Sequence, residues 1–128
     1  MKLLLDTHAF LWFIMGSANL SVKARAIIEN PVNERLLSVA SLWEIAIKTS
    51  LGKLALSAPF AELIPAQLKL NGIELLNLNV DHLSALTTLP FHHRDPFDRL
   101  VIAQAIVEKL TVVSLDRAFD AYGVTRHW

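Results

Sequence analysis

The 128-residue chain contains no cysteine, only four glycines, and no excess of charge of either sign. Without cysteine there is neither a disulfide framework nor a thiolate metal site, and the composition fits a reducing compartment. The few glycines form no phosphate-cradling cluster, which disfavours a dinucleotide-binding domain. Twelve basic residues balance twelve acidic ones, so no global field draws in nucleic acid, and any such binding has to come from a local patch. Long apolar runs are missing as well. The leucines that follow Lys2 are cut short by Asp6, too early for a secretory signal core. Ala9 to Met15 falls well below the about 20 residues needed to span a bilayer. A cytoplasmic chain that does not enter a membrane is expected.

What is present is apolar. A hydrophobic fraction of 53% and a mean hydropathy of +0.41 are high for a small soluble domain, and part of the excess is available to cover a subunit or partner interface. The length fits one domain over residues 1–128, able to bury roughly two-thirds of its unfolded surface.

The stretch Lys2-Leu3-Leu4-Leu5-Asp6-Thr7-His8 ends an unbroken apolar run at a carboxylate. Three leucines without polar alternation suit a strand buried on both faces, in the middle of a parallel sheet. Further strands are expected over Arg35 to Val39, Ile73 to Leu78 and Thr111 to Ser114, with an edge strand over Val124 to Trp128. Helices are expected between them. Ala9 to Met15 is stopped by Gly16, and Ser21 caps a helix to Glu29 with Val22, Ala26 and Ile27 on its apolar side. Ser41 opens a helix that ends near Leu51-Gly52. Pro59 to Leu70 is amphipathic, Asp81 to Leu86 is short, and Pro96 to Lys109 is apolar nearly all round and so buried. Phe119 to Gly123 forms a brief helical turn. Strands alternating with helices predict an α/β fold with a central, mostly parallel sheet of four to five strands and helices on both faces.

In that topology Asp6, Glu44, Asp98 and Asp116 all fall at the carboxyl edge of the sheet, where ligands bind in open parallel sheets. Each has a local explanation. Asp6 and Asp116 could cap helical turns, Ser41-x-x-Glu44 matches a capping box, and in Asp95-Pro96-Phe97-Asp98 the first aspartate reads as an N-cap with Asp98 near the positive end of the helix dipole. Gathered at one edge they would repel. A pair about 6 Å apart costs about 3 kcal/mol at an effective dielectric of about 20, against about 1 kcal/mol for a cap. Protons or a cation would have to neutralise the cluster. Oxygen ligands alone favour a hard divalent ion such as Mg²⁺ or Mn²⁺, which suits phosphodiester hydrolysis. Lys48, Arg94, Arg99 and Arg117 stand near the acids in sequence as candidate phosphate clamps. His8, His92 and His93 are candidates for substrate contact, although loop histidines are more often solvated or simply hydrogen-bonded.

Four blocks carry a resemblance: Leu4 to Trp12, Ser41 to Lys48 with Leu51 to Leu54, His93 to Leu100, and Ser114 to Phe119 with Tyr122 to Val124. In this order they resemble PIN-domain proteins, and within that group the VapC-like toxins of type II toxin-antitoxin pairs. The resemblance implies a three-layer α/β/α fold and a metal-dependent endoribonuclease. It implies that Asp6, Glu44, Asp98 and Asp116 hold one or two Mg²⁺ or Mn²⁺ ions, with Ser114 as a supporting hydroxyl. It also implies RNA as substrate, a cognate antitoxin that reaches toward the acids, and a homodimer. The competing reading is a catalytically silent PIN-like module that binds RNA or protein. A phosphotransfer enzyme with Asp6 as nucleophile is disfavoured, because Asp6-Thr7-His8 lacks a second aspartate two residues on.

Overall fold

β1 (Lys2–Leu5) needs no polar alternation because both of its faces are covered. Leu3 and Leu5 enter one hydrophobic cluster and Leu4 enters another on the opposite face, all three fully buried. The computed structural model describes residues 1–128. Around β1 lie β2 (Glu34–Ser38), β3 (Ile73–Leu76), β4 (Thr111–Val113) and β5 (Arg126–His127), in the order β3-β2-β1-β4-β5. Every neighbouring pair is parallel. The sheet is thus five-stranded and wholly parallel, and the C-terminal edge strand expected from sequence forms as a two-residue pairing against Val112 and Val113.

Helices α1 (Thr7–Met15), α2 (Val22–Glu29), α3 (Val39–Ser50) and α4 (Phe60–Leu70) supply Phe10, Ala24, Ile28, Ile45 and Ile64 to the cluster holding Leu3 and Leu5. On the other face α6 (Pro96–Glu108) supplies Val101, Ile102 and Ala105 against Leu4 and Val112. There α5 (Val80–Thr87) packs on α6, and Phe119 of the 3-10 turn Arg117–Tyr122 completes the layer. Seven successive residues of α6, Arg99 to Ala105, are buried, as its all-round apolarity predicts. No helix is long and apolar enough to cross a membrane.

Two local expectations are corrected. On α2 the buried residues are Ala24 and Ile28, while Val22 is 89% exposed. The chain enters α2 through the Ser21 cap, and that entry turns the Ala24–Ile28 stripe, spaced one turn apart, toward the sheet. The start of α3 also differs, because Ser38 rather than Ser41 is its cap and accepts from the Ala40 N–H at 3.0 Å. Ser41 is therefore inside the helix, and no capping box with Glu44 forms. Glu44 is left free to point elsewhere.

Successive crossovers build the sheet outward from β1 to β2 and β3, and then on the other side through β4 and β5. The direction reverses between β1 and β4. Loops leaving those two strands diverge at their carboxyl ends and open a crevice. Asp6 follows β1 directly, and Ser114 follows β4.

Candidate active site

The crevice is a cavity of about 350 Å³ lined by Asp6, Glu44, Asp95, Asp98 and Asp116, with His8, Trp12, Lys48 and Leu115. All four acids singled out from sequence are on its wall, and Asp95 is with them. Their capping roles and their convergence are compatible. Asp6, 8% exposed, caps α1 by accepting from the Ala9 N–H at 2.7 Å. Asp116 caps the 3-10 turn through Oδ1, which accepts from the Ala118 N–H at 2.9 Å. Asp95 caps α6, its Oδ1 accepting from the N–H groups of Phe97 and Asp98 at 2.8 and 3.3 Å. Each cap anchors one oxygen of a carboxylate that lines the cavity.

Glu44, 4% exposed, is placed by one contact across the fold and one within its own helix. Oε1 accepts from the Thr7 hydroxyl at 2.8 Å and Oε2 from Lys48 Nζ at 2.6 Å. No local pattern marks Thr7, whose only signal in the sequence is its position beside Asp6 at the end of the strand. Ser114, fully buried, bonds Asp6 and accepts from the Asp116 N–H at 3.0 Å, so one hydroxyl serves two acids.

The charge balance is uneven: five carboxylates face one lysine. Burial raises the Asp6 carboxyl above its ordinary value, against the hydrogen bonds from Ser114 and the Ala9 N–H. Asp98 is pushed up to about 7, first by burial and then by the charge of Asp95, with no hydrogen-bond donor to offset either. A carboxyl group that retains its proton near neutrality marks a missing positive charge. Lys48 moves up too, chiefly through its bond to Glu44, and so stays cationic.

A divalent cation fits this donor set. Asp98 and Asp116 bring carboxylate oxygens within 4.8 Å of one another and of a His93 ring nitrogen, and the remaining acids add only oxygen, the preference of Mg²⁺ and Mn²⁺. His93 is the group that sequence undervalued. Its Nε2 lies 2.6 Å from Asp116 Oδ2, a contact across 23 residues of chain that no local pattern announces.

The arginines do not join the cavity wall. Arg99, expected as a phosphate clamp, is 6% exposed and spends its terminal nitrogens on the carbonyls of Pro90 and Leu89 at 2.9 and 3.1 Å. Its guanidinium also lies 3.9 Å from the centre of the Phe91 ring. A buried guanidinium needs acceptors, and here it ties down the loop before α6. Arg94 and Arg117 are exposed and outside the cavity, so Lys48 is the one basic candidate on its wall. His92 turns its ring edge-on to Tyr122 instead of facing the acids.

Fold and site together define a parallel α/β protein whose switch-point crevice is anionic and suited to a hard cation. The PIN domain family model matches residues 3–124. The chain belongs to the PIN-domain family. It is 43% identical over 60 residues to Ribonuclease VapC16 of Mycobacterium tuberculosis, a match that spans 47% of this chain and 41% of that relative. Among solved structures it is similar to a chain of VapBC2 from Rickettsia felis bound to a promoter DNA fragment, with a TM-score of 0.72 and 15% identity over 99% of this chain and 98% of that one. It is also similar to a chain of VapBC-1 from nontypeable Haemophilus influenzae, with a TM-score of 0.68 and 16% identity over 99% and 97%. At such identities the likeness speaks for the fold.

Proposed function

We propose that residues 1–128 form one PIN-like domain acting as an endoribonuclease dependent on Mg²⁺ or Mn²⁺, and that this is the toxin of a toxin-antitoxin pair working in the cytoplasm. The observation that carries the reading is the excess of carboxylates around a single cavity at the switch point. Asp6, Glu44, Asp98 and Asp116 would hold the ion. Bound there, it supplies an activated water and positive charge to offset that of the phosphodiester. The chain's own groups do the positioning. Thr7 and Lys48 fix Glu44, Ser114 steadies Asp6, and Asp98, which no internal donor engages, would turn an unengaged carboxyl group to the ion. Lys48 keeps its charge at the cavity wall, within reach of a substrate phosphate.

RNA as the substrate is supported by the partial likeness to Ribonuclease VapC16 and by the chemistry of the donor set. The toxin role is supported by the fold likeness to chains of VapBC complexes, and by apolar side chains left in solvent, among them Trp43 at 57% and Leu115, on the cavity wall, at 53% exposure. An antitoxin segment laid across the crevice would cover such groups, and a homodimer would cover others.

The test is cleavage of RNA by the purified protein with Mg²⁺, with Mn²⁺ and with excess chelator. Activity is expected with either ion and none with chelator, and Asp6→Asn and Asp98→Asn are each expected to fall to background while retaining the native circular dichroism. Cleavage that persists in chelator, or full activity in both variants, would overturn the reading. Tight RNA binding without turnover would point to the silent module instead.

A further inference from the structure

His93 sits in a hydrogen-bond chain whose donors and acceptors can be assigned from one end. The His92 backbone N–H, which can only donate, reaches the Tyr122 hydroxyl at 3.0 Å. At the other end the Asp116 carboxylate, whose oxygens accept, lies 2.6 Å from His93 Nε2. His93 Nδ1 and the Tyr122 hydroxyl are 3.1 Å apart. A neutral ring completes the chain in one way: Tyr122 O–H donates to Nδ1, and Nε2–H donates to Asp116 Oδ2. The ring is held there by packing as well. Its side chain is 8% exposed, it meets Phe119 edge-on at 5.0 Å and lies over Tyr122 at 5.5 Å.

We propose that His93 is a positioning residue for Asp116, and that Tyr122 sets the tautomer which lets it act. Resting on the metal-centre reading above, this assigns two residues that bind neither ion nor substrate in the arrangement seen. Asp116 is the most exposed of the four acids, and its cap fixes only Oδ1. A carboxylate held by one oxygen still rotates about that bond. The Nε2–H contact removes this freedom and directs the remaining lone pairs toward the cavity where Asp98 lies. Partners of this kind, one bond removed from a metal ligand, typically change metal affinity by 10- to 100-fold when they are lost.

Glutamine offers a discriminating substitution, since its amide presents an NH2 donor group and a carbonyl acceptor at a spacing close to that of the two ring nitrogens, yet it shuttles no proton and is a poor metal ligand. Mn²⁺ is titrated calorimetrically into the purified chain, wild type and His93→Gln, His93→Ala and Tyr122→Phe, each checked for native circular dichroism. His93→Gln is expected to bind within about threefold of wild type, and His93→Ala about 10- to 100-fold more weakly. Nitrogen NMR of the metal-free protein is expected to show His93 protonated at Nε2, with the alternative tautomer appearing in Tyr122→Phe. Wild-type affinity in His93→Ala overturns the inference. So does a loss in His93→Gln as large as in His93→Ala, which would make the ring nitrogen itself a ligand. If wild type binds no Mn²⁺, the metal-centre reading fails and this inference with it; if wild type binds and only the His93 pattern is missed, the metal centre stands without the histidine.

Discussion

Asp98 concentrates the electrostatic problem of the site in a single carboxyl group. Its pKa of about 7 stands well above the ordinary 3.8, mainly from burial and secondarily from Asp95. Between those two values the metal-free native state holds a proton that the unfolded chain has released, so stability falls as pH rises from about 4 to about 7 and levels off above that. Asp98 is only partly buried and solvent moderates the effect, but its sign is fixed. In chelator, the urea midpoint of the metal-free protein is expected to drop across this range, and Asp98→Asn to flatten that part of the profile. A midpoint that rises from pH 4 to 7 equally in both proteins would contradict the assignment. The same residue shows what a sequence discloses at this scale. Asp98 and Asp95 are legible as acids at a helix start, whereas the raised proton affinity depends first on a burial that only the fold creates. His93 and Thr7 were harder still, because each earns its place through one contact to a residue 23 or 37 positions away.

At the scale of elements, most of the architecture was legible because buried parallel strands and a helix apolar on all sides leave strong patterns. β1, β4 and α6 follow directly from them. The failures fell where two local signals competed. Ser38 and Ser41 both look like caps, and the chain uses the first because β2 runs on to Ser38 and the helix begins at once. On α2 the apolar residues are too many to define one face, and packing chose Ala24 and Ile28. The end of α6 has no glycine stop. Lys109 adopts the left-handed conformation there at φ 55, the one non-glycine residue in the chain to do so. A side chain in that region costs about 1 kcal/mol or more, so Lys109→Gly is expected to raise stability by about 1 kcal/mol in urea denaturation without altering metal binding. Gly16 occupies the corresponding place after α1 at φ 63, where the sequence did provide the fitting residue.

For the molecule as a whole, the proposed ion site would make folding and ion binding interdependent. An ion that binds only the native state stabilises it by about 2.7 kcal/mol at a hundredfold excess over Kd. For a chain of this length that corresponds to a rise in Tm of roughly 10 °C. Differential scanning fluorimetry with Mn²⁺ is expected to show such a rise in wild type and little or none in Asp6→Asn. An equal rise in both would place the ion elsewhere. The parallel sheet also brings together residues from opposite ends of the chain: Asp6 donates its backbone N–H to the Val113 carbonyl at 3.1 Å, and its carboxyl group meets Ser114. The order of synthesis then has a bearing on when the crevice can exist. As the polypeptide leaves the ribosome, Asp6 emerges well before Asp116, and β4 must dock beside β1 before the two can meet. Through most of translation the nascent chain therefore carries its acids scattered, without the geometry that the crevice gives them.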